Sequence, residues 1–81
     1  MHKYTRLVYR TAAHRNWARI IKARDPLCVD PYDQHPHEPR LSQIADHIIP
    51  ISEGGGYSLE NGRGVCWSCH EYGKWQARKL C

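Results

Sequence analysis

The residues in this chain most able to do chemistry are its sulfur and imidazole groups, and the tightest pair is Cys66-Trp67-Ser68-Cys69. A two-residue spacer lets both thiolates reach one tetrahedral ion from a tight knuckle. A redox CxxC is the competing reading, but it needs a thioredoxin-like βαβ context, and no such alternation of strands and helices is legible. A structural zinc requires two further ligands, and Cys28 is the natural third. Pro31 stands where a second cysteine of a partner CxxC would be, so another donor must replace it. A neutral imidazole completes a site of three thiolates. His35 is favoured over His37, since six intervening residues after Cys28 give a loop that can close, while His37 sits between Pro36 and Glu38. Cys81, at the end of the chain, is the third candidate. The expected zinc set is therefore Cys28, His35, Cys66 and Cys69.

A second group lies apart from these: Asp46-His47, Asn61, and His70 directly after the second knuckle cysteine. Taken singly, each has an ordinary explanation: a surface Asp-His pair, an Asn-Gly turn at Asn61-Gly62, a spare zinc ligand at His70. Taken together with Cys28, Pro50, Gly54-Gly55, Cys66, Cys69 and Lys74, their order and spacing resemble the HNH endonuclease family over roughly residues 15 to 75. The segment Arg24-Asp25-Pro26-Leu27-Cys28 is also similar to small phage-encoded HNH proteins found beside packaging genes. The departure is the missing second cysteine. The resemblance implies an α+β fold, a zinc-stabilised ββα-metal module of treble-clef-like shape, here behind an N-terminal basic helix.

Hydrolysis of a phosphodiester needs a nucleophile made from water, stabilisation of charge on the phosphate, and help for the departing 3′ oxygen. His47 is the candidate general base, because imidazole titrates near neutral pH. Asp46 and His70 together would hold one divalent cation, Mg²⁺ or Mn²⁺, leaving positions for water and phosphate. The resemblance implies that Asn61 fixes the loop and orients the catalytic histidine by hydrogen bonding. Adjacent strand residues point to opposite faces, so Asp46 and His47 are expected to share a site only where the strand ends or bulges.

The elements that must position these groups are set by local pattern. Thr11 can cap a helix to about Arg24, ended by Asp25-Pro26. Trp17, Ile20, Ile21 and Arg24 follow helical spacing, which predicts a buried apolar stripe with Arg15, Arg19 and Lys22 exposed. Residues 28 to 40 carry Pro31, Pro36 and Pro39 and predict an irregular loop. Residues 43 to 49 predict a strand ending at Pro50, then turn chemistry through Gly54-Gly55-Gly56 and Ser58 to Asn61, a short strand at 63 to 65, and a helix from Trp67 to Leu80 despite Gly73.

With 81 residues, no Phe and a mean hydropathy of −0.73, the chain is too small and polar to be comfortably stable on apolar contacts alone. A metal staple answers that need, and one domain is expected: a basic arm and helix over residues 1 to 25 and a zinc-bound core over 26 to 81. Residues 1 to 24 hold seven Lys or Arg and no acid, residues 25 to 61 hold seven Asp or Glu against Arg40 alone, and the tail is basic again. Basic flanks around an acidic middle suit a protein that holds a polyanion, and DNA is the expected partner. Arg15, Arg19, Lys22, Lys74, Arg78 and Lys79 would meet phosphates rather than bases, which predicts nicking or weakly sequence-specific cleavage. No stretch reads as a signal peptide or membrane span, which predicts an intracellular, cytoplasmic protein, in the host cytoplasm if phage-encoded. Packaging proteins such as terminase are the partners the phage resemblance suggests. Two other classes compete: a zinc-stabilised DNA-binding adaptor without cleavage, and a toxin domain of the colicin type.

Overall fold

The computed structural model describes residues 11–80, with side chains described through residue 76. The basic segment 1–10, the side chains of Arg78 and Lys79, and Cys81 lie outside the described residues. Helix α1 spans Ala12–Arg24. Thr11 caps it as expected, its extended backbone placing Oγ1 to accept from His14 N at 3.1 Å. The helix stops at Asp25, before Pro26. Trp17 and Ile21 are buried, while Ile20 is only half-buried. The inner face starts one turn earlier than the apolar stripe suggested, because His14, Trp17, Ala18 and Ile21 share it by i, i+3, i+4, i+7 spacing. Arg15, Arg19 and Lys22 are exposed, as expected.

Strands β1 (Ile44–His47) and β2 (Gly62–Val65) form an antiparallel pair with Ile44 opposite Val65, Ala45 opposite Gly64, Asp46 opposite Arg63 and His47 opposite Gly62. Gln43 and Ile48 still donate across to Val65 O and Asn61 O. Beyond Ile48 the chain leaves the ladder, since the Asn61 side chain takes both polar backbone groups of Ile49. Two short 3-10 turns, Ile51–Glu53 and Leu59–Asn61, fill the connection. Gly54 ends the first at φ +92°, a conformation that favours glycine.

The two faces of this small sheet are covered differently. A Cβ on Gly62 would lie 2.5 Å from Ile21 Cδ1 and 2.7 Å from Trp17 Cζ2, and one on Gly64 would lie 2.8 Å from Asp25 Cβ. Helix α1 therefore rests directly on the β2 backbone. Its C-terminus is stitched down: Gly64 N donates to Asp25 Oδ2, and Arg24 donates to Leu59 O, to Gly62 O and to Asp25. Against the other face lie helix α2 (Trp67–Leu80) and the loop of residues 28 to 40. There Val65, Cys66 and Cys69 are buried, with Cys28 and Ile44 packed on them. Three of these five residues are cysteines, so the cohesion of this core depends on what the sulfurs hold. The loop is irregular as expected, closed at its base by the Leu27–Leu41 bridge and by Cys28 N donating to Arg40 O. Gly73 sits in α2 where Tyr32 Oη would lie 2.6 Å from an added Cβ. The architecture is a small α+β fold in which helix α1 precedes a ββα unit. Among the described residues, no helix is long and apolar enough to cross a membrane.

Candidate functional site

Cys28, His35, Cys66 and Cys69 converge, their four donor atoms all within 4.8 Å of one another. Cys28 and Cys69 sulfurs are 3.7 Å apart and unbonded, and His35 Nε2 is 3.3 Å from Cys69 Sγ and 3.6 Å from Cys66 Sγ. These separations match a tetrahedral zinc, for which Zn–S bonds near 2.3 Å put sulfurs about 3.8 Å apart. The tautomer also fits. His35 Nδ1 donates to the Glu38 carbonyl at 2.8 Å, which leaves Nε2 with a lone pair facing the sulfurs. His35 is buried and His37 exposed, so the loop puts inside the histidine expected from its spacing.

The electrostatics favour ionisation at one thiol and oppose it at another. Burial opposes charge on Cys66, but hydrogen bonds from Ser68 and Cys69 outweigh it and bring the thiol down to about 6. Burial and the neighbouring thiols push Cys69 up instead. The carbonyl of Glu38 raises His35 to about 9 against the opposing effect of burial. A bound cation would displace those protons.

Asp46, His47 and His70 line a second feature, a cleft of about 560 Å³. Its walls are His14, Ala18 and Lys22 of α1, Gln43 and the four residues of β1 that follow it, Pro50, and Trp67, His70 and Lys74 of α2. Residues of β2 do not line it, so it follows the edge of β1 that pairs with no other strand among the described residues. This explains how neighbouring strand residues reach one site without a bulge. Asp46 faces α2, its Oδ1 3.4 Å from His70 Nδ1. His47, the last residue of β1, faces α1 and stacks on Trp17 with ring centroids 4.1 Å apart. The cleft curls round the edge and meets both.

Asp46 and His70 are suitably placed to hold a hard divalent cation. Neighbouring ligands of an octahedral ion with bonds near 2.1 Å lie about 3 Å apart, close to the 3.4 Å observed. Burial disfavours charge on Asp46, yet His70 and Arg63 hold its carboxyl below the usual carboxylate range. Burial, together with the charge of His14, lowers His47, so the imidazole is neutral at neutral pH and able to accept a proton. Asn61 lies on the loop behind: its side chain accepts from Ile49 N and donates to Ile49 O and Gly56 O, clamping the segment just after His47.

Of the basic residues expected to meet DNA, Lys22 and Lys74 line the cleft from opposite helices, whereas Arg15 and Arg19 are exposed elsewhere on α1. Several cleft neighbours escaped sequence reasoning. His14 lies 5.9 Å from His47 with the rings nearly parallel, and Tyr57 stands edge-on to both. The spacing of His14 to Trp17 and Ile21 was the available signal. Arg63 donates from Nε to Asp46 Oδ2 at 3.0 Å, a cross-strand pair that only the register reveals.

No curated protein and no solved structure matches the chain. The family model described as HNH endonuclease matches residues 28–72, more than half of the chain, from the first cluster cysteine to just past His70. That span encloses both the Cys-His cluster and the Asp46–His47–His70 cleft, and the chain belongs to the HNH endonuclease family.

Proposed function

We propose that this protein is a metal-dependent DNA endonuclease that hydrolyses phosphodiester bonds at the edge of β1. The observation that carries the reading is the convergence of Asp46, His47 and His70 on one cleft, from two strand faces and a helix. His47, neutral and held by its stack on Trp17, accepts the proton of the attacking water. Asp46 and His70 bind Mg²⁺ or Mn²⁺, which when bound offsets charge on the scissile phosphate and the departing oxygen. Asn61 keeps the loop after β1 in place, so that the position of His47 is fixed from behind. Lys22 and Lys74 flank the strand being cut with contacts to phosphate. Cys28, His35, Cys66 and Cys69 hold a structural zinc. Residues 1 to 81 then act as one domain, and contacts to phosphate rather than bases favour nicking or weakly selective cleavage. Phage genome packaging beside a terminase is the setting we favour, and the host cytoplasm the location.

One observation favours a second reading. Arg63 already neutralises Asp46, as it would in a DNA-binding adaptor that kept the fold and the zinc without cleavage. Incubating the zinc-loaded protein with supercoiled plasmid, with Mg²⁺, Mn²⁺ or excess chelator, separates the two. The nuclease reading expects metal-dependent nicked circles. A folded protein that binds the plasmid and never nicks it establishes the adaptor.

A further inference from the structure

Behind Asp46, on the side away from the cleft, a line of contacts runs to the loop that carries two of the cluster ligands. Arg63 Nε donates to Asp46 Oδ2 at 3.0 Å, and Arg63 Nη2 donates to the Tyr32 hydroxyl at 3.0 Å. The guanidinium carbon also lies 5.4 Å from the centre of the Tyr32 ring. Tyr32 sits between Cys28 and His35, inside the segment those two ligands close. Its ring meets Tyr72 at 5.2 Å and lies against Gly73, the α2 position with no side chain to exclude it. Arg63 and Asp46 are each only about one-fifth exposed, and Arg63 does not line the cleft. Arg63 is therefore not placed to meet substrate.

We infer that Arg63, anchored by Tyr32, is a positioning residue that fixes the Asp46 carboxylate for its cation and ties that carboxylate to the cluster loop. The inference rests on the cation site proposed above. With Oδ2 committed to Arg63, Oδ1 is the oxygen left beside His70 Nδ1, so Asp46 is set to bind through one oxygen. Hydrogen-bond partners of a ligating carboxylate orient it, and their loss typically lowers metal affinity or activity about 10- to 100-fold. Charge alone makes the opposite demand. A guanidinium next to the ligand repels a second cation, so an ion pair that merely neutralised Asp46 would weaken metal binding, and its removal would strengthen it. The sign of the effect thus separates positioning from neutralisation.

The test is Mn²⁺ titration of the zinc-loaded protein, monitored by the electron paramagnetic resonance signal of free Mn²⁺, with zinc content and thermal melts measured on every variant. Arg63→Gln is expected to lower Mn²⁺ affinity about 10- to 100-fold, and Arg63→Lys to recover part of the loss through its single charged donor. Tyr32→Phe keeps the ring and removes one hydrogen bond, for an expected loss of about two- to tenfold with zinc retained. It also serves if Arg63→Gln fails to fold. Mn²⁺ binding that Asp46→Asn removes, but that Arg63→Gln and Tyr32→Phe leave unchanged or tighten, overturns this inference alone. A wild type that takes up no Mn²⁺, or takes it up regardless of Asp46→Asn, overturns the cation site and this inference with it.

Discussion

Cys69 and His70 are consecutive in the chain, yet they belong to opposite kinds of site. Cys69 is fully buried in a cluster of three thiols and an imidazole, four donors that complete the ligand set of a tetrahedral ion. The His70 side chain is 20% exposed beside a carboxylate of similar exposure, on a cleft with room for a ligand. A closed, soft site holds its ion for folding, whereas an open, harder one leaves positions for substrate and water. In the reading proposed above, the same helix serves stability on one side and reactivity on the other. The two should fail differently.

The largest expected effect is on the closed side. Cys66→Ser or Cys69→Ser, or stripping zinc from the wild type with a strong chelator, should abolish the cooperative melt seen by circular dichroism, because metal binding supplies much of the folding free energy in domains this small. His70→Ala should leave that melt in place. A chelated protein that melts like the loaded one would erase the distinction.

Next in size is the open side. His47→Ala should reduce plasmid cleavage about 10²- to 10⁴-fold while zinc content is unchanged. Its stack on Trp17 means that some stability goes too, on the order of 1 kcal/mol, so a lower melting temperature with full zinc occupancy is the expected signature. Zinc loss in this variant would show that the two regions are not separable.

A smaller effect sharpens the ligand set. His35→Ala should lower zinc content, measured by metal analysis of the purified variant, more than His37→Ala, since only His35 points inward. The reverse order would move the fourth ligand.

The smallest effect is on pH. His47 and His14 both lie below the ordinary histidine value of 6.5, His47 through burial and the charge of His14, His14 through burial. The base form of His47 therefore persists as pH falls through 6.5, and cleavage rate should decline only below it. A rate that already falls at neutral pH would contradict the neutral imidazole.

What could be read from the chain was whatever is local. Thr11 three residues before His14, the helical spacing of Trp17 and Ile21, and the two residues between Cys66 and Cys69 each encode geometry within a turn or two. The step from Cys28 to His35, with six residues between, belongs here as well, because Asp30 closes it locally by accepting from Gln34 N and His35 N. The parts that could not be read depend on contacts between distant segments. Arg63 meets Asp46 only through strand register, and Tyr32 meets Arg63 only because a proline-rich loop lies across β2 and α2. Gly62 read as the second residue of an Asn-Gly turn and Gly64 as the middle of a short strand. Their missing side chains are what let Trp17, Ile21 and Asp25 lie on the strand.

The succession of Cys66, Cys69 and His70 at the start of α2 has a mechanical consequence. His70 N already donates to Cys66 O, so the knuckle is itself helical and cannot pivot independently of the rest of α2. Consecutive residues on an α-helix are turned by about 100°. The helix is therefore one rigid shaft with two cams, and its angular phase sets both at once. Adding or removing a single residue between Cys66 and Cys69 would rotate His70 away from Asp46 by the same turn that breaks the sulfur cluster.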